Sequence, residues 1–398
     1  MPLASVALED LQQARGQTDS LFKLFAPDTL YARPIAQRHR MIFYLGHLET
    51  FDWLQLGRNL AGRPSFNPGF DQLFEAGIDP PPGQLPQDTP GDWPVESAVR
   101  DYVAAIREKV DADWDSLPAE RRQMVLEHRH MHAETFSYML HNLPHTAKLA
   151  RPSEAAAPST LYEQEWISIS AGRATLGQEG GNGFGWDNEF SSTAVDVPAF
   201  RIQKYKVSHA DYLEFMAATG AAAPHFWQQV HGVWHFRGMF EMIPLPPDWP
   251  VWVTQEQASA YAAFRGAVLP SEAQYHRAAF GRPDGEEAAV LAGGNHNYER
   301  WNPEPVTARP ETASAFGVAQ LAGNGWEWTR TPFAPLPGFQ PSDYYPNYSA
   351  NFFDNEHYVI KGASPRTATA LTRRSLRNWF RGEYPYLYAG FRLVENRP

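Results

Sequence analysis

The chain has 398 residues, enough for two average domains rather than one. Hydrophobic residues make up 43% and charged residues 20%, the balance of an ordinary soluble enzyme, and a net charge of −11 argues against a broad nucleic-acid surface. Cysteine is absent, which excludes disulfides, thiolate zinc sites, iron–sulfur clusters and a cysteine nucleophile within this chain.

The first residues, MPLASVALEDLQQARGQ, carry neither a basic n-region nor an apolar h-region. No run approaches the roughly 18 apolar residues of a membrane span. A cytoplasmic location with no membrane partner is therefore expected. Apolar residues at helical spacing predict a helix over LEDLQQARGQTDSLFKLF, then helices over Pro34–Leu60, Val95–Val110 and Pro118–Leu143. Four helices of this size imply a bundle over residues 1–145. Between the second and third helix, FNPGFDQLFEAGIDPPPGQLPQDTPGDWP reads as a long Pro/Gly-rich crossover. Residues 146–160, TAKLARPSEAAAPST, read as a linker. From residue 161 to 398 short β-like runs such as EWISISAGRATLG alternate with Gly/Pro/Asn-rich loops, with two short helices expected at Ser208–Thr219 and Thr254–Gly266. The whole is an α+β chain whose second half is irregular and loop-rich. The 14% aromatic content suits such a fold and the pockets it forms.

The strongest chemical signal lies in the fourth predicted helix, in LEHRHMHAE. His128 and His132 are four residues apart, so they share a helix face and can chelate one ion, while His130 points elsewhere. The third ligand is expected from a neighbouring helix, and His47 in YLGHLE is the best candidate. Three neutral imidazoles suit Zn, Fe, Cu or Ni. A set of two histidines and one carboxylate, with Glu49 or Asp52 as the acid, is open at this stage.

At this point the chain resembles a known family over nearly its whole length. The stretches EHRHMHAE, FRIQKYKVSHADYLEFM, PVWVTQEQASAYAAFRGAVLPSEAQY, LAGNGWEWTRTPF and YAGFRLV occur in order. Together they resemble the ergothioneine and ovothiol sulfoxide synthases. The resemblance implies a DinB-like four-helix bundle followed by a formylglycine-generating-enzyme-like (C-type-lectin-like) domain that forms the substrate pocket. Formylglycine generation itself is excluded, because that chemistry uses cysteines. The resemblance further implies a non-haem Fe(2+) on His47, His128 and His132. It implies two catalytic tyrosines near the iron, matching Tyr345 and Tyr348, where a phenol can act as a general acid. It implies hercynine (trimethylhistidine) bound by Asn378 and Trp379, the indole face suiting a quaternary ammonium.

Several positions depart from the family pattern. Members that take γ-glutamylcysteine hold its carboxylates with arginines, one supported by an aspartate. The crossover run FNPGFDQLFEAGIDPPPGQLP has no arginine, and the Asp and Arg expected after the Asn-Trp pair are Phe380 and Tyr384. The glutamine expected one position before the last histidine ligand is Met131. These changes, with RNWFRGEYPYLYAGFRLV, resemble the selenoneine synthase branch, which joins a selenosugar to hercynine. Phe380, Tyr384 and Tyr386 can stack on a sugar ring, whereas Arg381 could still take a carboxylate. The expected function is an O2-dependent C–Se (or C–S) bond-forming oxidoreductase acting on small molecules. The alternatives are an ergothioneine-type sulfoxide synthase using γ-glutamylcysteine or cysteine, a DinB-like metal-dependent thiol transferase, and a lectin-like binding module. The sequence does not fix the oligomeric state.

Overall fold

The computed structural model describes every residue except 1–5, 78–83, 150–153, 155–161, 182, 286, 289–290, 292 and 396–398. The chain divides into two compact units, Met1–Arg151 and Pro152–Pro398. Most of the stretch expected as a linker lies outside the described residues. Its start is held down, since Lys148 bridges to Phe25 in antiparallel fashion.

The first unit is helical among the described residues: α1 (Leu8–Leu21), α2 (Met41–Asp52), α3 (Pro68–Ala76), α4 (Glu96–Asp113) and α5 (Ala119–Asn142). The second helix was expected from Pro34, but it begins only at Met41, after the extended Arg40. Its far end runs into a π-helical turn, Trp53–Arg58, of the kind that recurs at functional sites. The crossover also holds more structure than its Pro/Gly content predicts. In α3 the Asn67 side chain caps the backbone N–H of Phe70 and Pro68 occupies the first turn, so a local start signal overrides the composition. Every residue of α2 is buried. This makes α2 the central helix, packed by α3, α4 and α5, with α1 against α5. A fully buried helix must find partners for its polar side chains within the protein. In α2 those side chains are His47, Glu49, Thr50 and Asp52.

Among its described residues the second unit combines short strands with three α-helices. The expected strand run over EWISISAGRATLG is two strands, β1 (Trp166–Ile169) and β2 (Gly172–Leu176), in different sheets. β2 pairs with β3 (Thr193–Val197), and β1 pairs with β4 (Phe200–Gln203). Helix α6 (His209–Thr219) carries a Ser208 capping box and ends on the left-handed Gly220. A three-stranded antiparallel sheet follows, β5 (Trp227–Val230), β6 (Val233–Arg237) and β7 (Met242–Pro244). After α7 (Gln255–Phe264) comes α8 (Glu272–Phe280), a helix the sequence reading missed although Ser271 and Gln274 form a capping box. The largest sheet has the order β10-β9-β8-β11, from β8 (Gly325–Pro332), β9 (His357–Ala363), β10 (Asn378–Arg381) and β11 (Ala389–Gly390). Finally, β12 (Val394–Glu395) returns to β4. The GWEW and FRL motifs meet at one ion cluster: Glu327 accepts from Lys206 Nζ and from Arg392 Nε and Nη2, each at 2.7 Å, with all three side chains fully buried.

Candidate metal centre and substrate residues

In the first unit His47, His128 and His132 come together, their ligand atoms all within 4.8 Å of one another. α2 supplies His47, and one face of α5 supplies the other two at the four-residue spacing. Each ring is fixed by neighbours. His47 stacks on Phe43 one turn earlier, centroids 4.7 Å apart and planes at 19°. Its Nδ1 lies 2.7 Å from the carbonyl oxygen of Phe74 at the end of α3. That carbonyl can only accept, so Nδ1 carries the proton and Nε2 presents a lone pair. Gly46 permits this approach: a Cβ there would lie 2.5 Å from the Phe74 ring. His128 stacks on Phe51, centroids 3.5 Å apart and planes at 11°.

Three nitrogens of this cluster lack the partners that buried polar atoms normally have. Both ring nitrogens of His128 and Nδ1 of His132 make no hydrogen bond among the described residues. Nε2 of His47 and Nε2 of His132 face each other at 3.4 Å. Two nitrogens each about 2.1 Å from one shared ion would stand roughly 3 Å apart, so the gap fits a single transition metal. Burial pushes His47 down to about 4 and His128 and His132 well below their ordinary value. Three neutral imidazoles with unspent lone pairs form a donor set matched to a divalent ion.

The acids of the alternative set, Glu49 and Asp52, have partners of their own. Glu49 and Asp52 turn to Arg129, whose Nη2 donates to both at 2.8 Å. Arg107 adds two bonds to Glu49, at 2.9 and 2.7 Å, and Arg15 stands 3.5 Å from Glu49. Burial opposes the charge on Glu49, but Arg129, Arg107 and Arg15 outweigh it and hold its pKa down. Burial, with the charge of Glu49 beside it, pushes Asp52 upward. Neither acid belongs to the histidine cluster. Arg129, next to His128 in sequence, thus ties α5 to α2 and away from the imidazoles. Met131 is half-buried on α5, its carbonyl accepting the Thr135 hydroxyl at 3.2 Å.

In the second unit the expected substrate residues divide into two groups. Trp379 on β10 stacks on Phe333, centroids 4.2 Å apart and planes at 7°. Tyr348 meets it at 5.3 Å and 84°, Phe352 at 5.6 Å, and Tyr345 lies 5.7 Å from Tyr348. Burial pushes the Tyr345 phenol upward, so it stays protonated as a donor. Phe380 instead stacks on Tyr384 at 5.4 Å and 21°, and Tyr384 meets Tyr386 at 5.1 Å. Successive side chains on a strand point to opposite faces, which separates Trp379 from Phe380. The strand thus puts the indole expected against hercynine and the ring expected against the donor on two surfaces. Asn378 Oδ1 accepts the backbone N–H of Trp379 at 2.9 Å, which leaves its NH2 group as the end that can donate. Arg381, on the exposed edge, pairs with Glu356 at 2.9 Å.

Residues 152–397 match the model of the sulfatase-modifying factor enzyme 1-like domain. Hercynine oxygenase of Mycolicibacterium thermoresistibile is 32% identical over 398 aligned residues, covering 88% of this chain and 85% of that protein. The chain belongs to the ergothioneine and ovothiol sulfoxide synthase family. Ergothioneine biosynthesis protein 1 of Schizosaccharomyces pombe is 26% identical over 424 residues, covering 94% of this chain and 54% of that protein. The chain spans a little over half the length of the fungal relatives it matches. Formylglycine-generating enzyme of Streptomyces coelicolor is 27% identical over 241 residues, covering 48% of this chain and 76% of that protein.

In this sulfoxide synthase family member some parts of the site were invisible to sequence reasoning. The Phe74 carbonyl that orients His47 is backbone, so no residue type announces it. Trp186, which stacks on Tyr348 at 4.2 Å and 21°, lies about 160 residues upstream in a Gly-rich loop with no motif. Arg129 sits inside the histidine motif, but only the fold shows that it neutralises Glu49 and Asp52.

Proposed function

We propose that this protein is an iron(II)- and O2-dependent enzyme that forms a C–Se or C–S bond between a chalcogen donor and the imidazole of hercynine, with a selenosugar as the favoured donor. The observation that carries this reading is the three-histidine cluster without a carboxylate, in a chain of the sulfoxide synthase family. Relatives named hercynine oxygenase support hercynine as the acceptor.

His47, His128 and His132 would hold the iron. Bound there, iron(II) would supply the redox chemistry by which O2 takes up two electrons as the new bond replaces the imidazole C–H and two more as one oxygen atom is added to the sulfur or selenium, the other leaving as water. Three neutral ligands leave the charge of a divalent ion uncompensated, which favours an anionic selenolate or thiolate donor. Trp379 offers an indole face to the trimethylammonium group, and the Asn378 amide, on the strand face it shares with Phe380, donates to a carboxylate or hydroxyl brought against that face. Tyr345, held protonated by burial, or its neighbour Tyr348 delivers a proton from its phenol oxygen. Phe380, Tyr384 and Tyr386 form an aromatic row that suits the apolar face of a pyranose. Met131 in place of glutamine removes one polar contact to the imidazole. Such a protein works on small molecules in the cytoplasm.

The sulfur branch rests on the relatives named for ergothioneine biosynthesis and on Arg381, an exposed guanidinium paired with Glu356 that a donor carboxylate could recruit. The deciding experiment is a reaction under air with iron(II), hercynine and equal 1-selenoglucose and γ-glutamylcysteine, read by mass spectrometry. A hercynine–sugar adduct supports the proposal. A γ-glutamylcysteine sulfoxide alone assigns the protein to the ergothioneine type, and no hercynine product with any donor overturns the reading.

A further inference from the structure

In the run Trp186 to Glu189, the first two residues grip the loop that carries the two tyrosines, and the last anchors them. The Trp186 indole stacks on the Tyr348 ring at 4.2 Å and 21°. The Asp187 carboxylate accepts the hydroxyl of Ser349, the residue after Tyr348, and lies 3.5 Å from the backbone N–H of Ser342 at the other end of the loop. Asp187 thus reaches both ends of the 342–349 segment. Its base is anchored in turn. Glu189 accepts from the backbone N–H of Trp186 at 3.0 Å, from the Ser375 hydroxyl at 2.6 Å, and from Arg373 through Nε at 2.7 Å and Nη2. Arg373 and Ser375 stand just ahead of Asn378 and Trp379 in the chain.

Asp187 is an expensive choice for a spacer. It is 7% exposed, Ser349 is fully buried, and no cation pairs with Asp187 among the described residues. Burying a carboxylate against neutral partners costs free energy that an alanine or asparagine would not. What the carboxylate provides is two acceptor oxygens at once, one for each end of the tyrosine loop.

We infer that Asp187 is a positioning residue that fixes the reach of the Tyr345 and Tyr348 phenols, with Trp186 setting the ring plane of Tyr348. This rests on the proposed role of those tyrosines in proton delivery. A loop released at Ser349 would let the phenols drift by about an ångström, enough to cost on the order of 100-fold in rate while leaving substrate affinity alone.

The test compares Asp187→Ala, Asp187→Asn and Ser349→Ala with the wild type, using the iron-loaded full chain, hercynine and whichever donor the wild type accepts. Asp187→Ala and Ser349→Ala are expected to lower kcat by about 10- to 100-fold with KM for hercynine and iron content unchanged. Asp187→Asn, which keeps an acceptor for Ser349, should restore most of kcat. Amide hydrogen exchange should rise over residues 342–349 in the alanine variants and not across β8 and β9. Wild-type kcat in both alanine variants overturns the inference. So does a loss shared equally by kcat, KM and thermal stability, with no rescue by asparagine. If Asp187→Ala does not fold, Ser349→Ala removes the same bond from the other side and decides. Should the wild type convert no hercynine at all, the reading of the activity fails first and the positioning role falls with it.

Discussion

The Nδ1 atom of His47 lies 2.7 Å from the carbonyl oxygen of Phe74, and that bond settles which nitrogen of His47 faces His128 and His132. A backbone acceptor on α3 thus orients the proposed ligand His47 on α2, in the manner of outer-shell partners that hold metal-binding histidines. The contact depends on Gly46, since any side chain there would meet the Phe74 ring.

Gly46→Ala should therefore displace Phe74 and loosen His47 without removing a ligand. The expected result is a folded protein whose iron affinity falls by about 10- to 100-fold, measured by anaerobic titration. Unchanged affinity would mean that the Phe74 carbonyl does not orient the imidazole.

Removing a ligand outright should be more severe. His128→Ala and His132→Ala each leave two imidazoles, and iron occupancy after anaerobic reconstitution should drop to background. Full occupancy in both variants would remove the three-histidine assignment. Glu49→Gln serves as the contrast: it weakens the Arg129 cluster and should lower stability, but iron should still bind, because Glu49 is no part of the proposed ligand set.

Trp379→Ala should weaken hercynine binding by roughly 1–2 kcal/mol if the ammonium group rests on the indole. Isothermal titration with hercynine and with histidine provides the comparison. Equal affinity for both ligands in the wild type, or no loss in the variant, would move the ammonium site elsewhere.

Phe380 and Tyr384 lie on a different surface of β10 from Trp379, so the two sets should separate functionally. Phe380→Ala and Tyr384→Ala are expected to raise the donor KM about tenfold, the loss of one aromatic contact of order 1 kcal/mol, while hercynine affinity stays within error. A parallel loss of hercynine binding would place both substrates against the same residues.

Glu327→Gln is a stability prediction. It leaves Lys206 and Arg392, both fully buried, with a neutral amide between them. Breaking a buried pair of this kind costs about 3–5 kcal/mol, read as a lower denaturant midpoint for the second unit. A change below 1 kcal/mol would show that water or rearrangement satisfies the two cations.

The sequence by itself carried whatever depends on residue type and local spacing. The four-residue interval of His128 and His132 is enough to put two imidazoles on one helix face, because the helix repeat fixes it. The α+β division was legible because hydrophobic periodicity changes between the halves of the chain. Local start signals are legible too, including the Asn67 cap of α3 and the Ser271–Gln274 capping box of α8. Other features required the tertiary structure, because they join positions far apart along the chain. His47 meets His132 across 85 residues. Glu49 and Asp52 turn away from the histidine cluster only because Arg129, Arg107 and Arg15, from three other helices, converge on them. The separation of Trp379 from Phe380 follows from the pleat of a strand whose existence, though not its surroundings, spacing could suggest. Asp187 reaches Ser349 across 162 residues, and no local pattern marks either one. Periodicity describes a helix or strand against its own axis, and only packing decides which neighbour each face will meet.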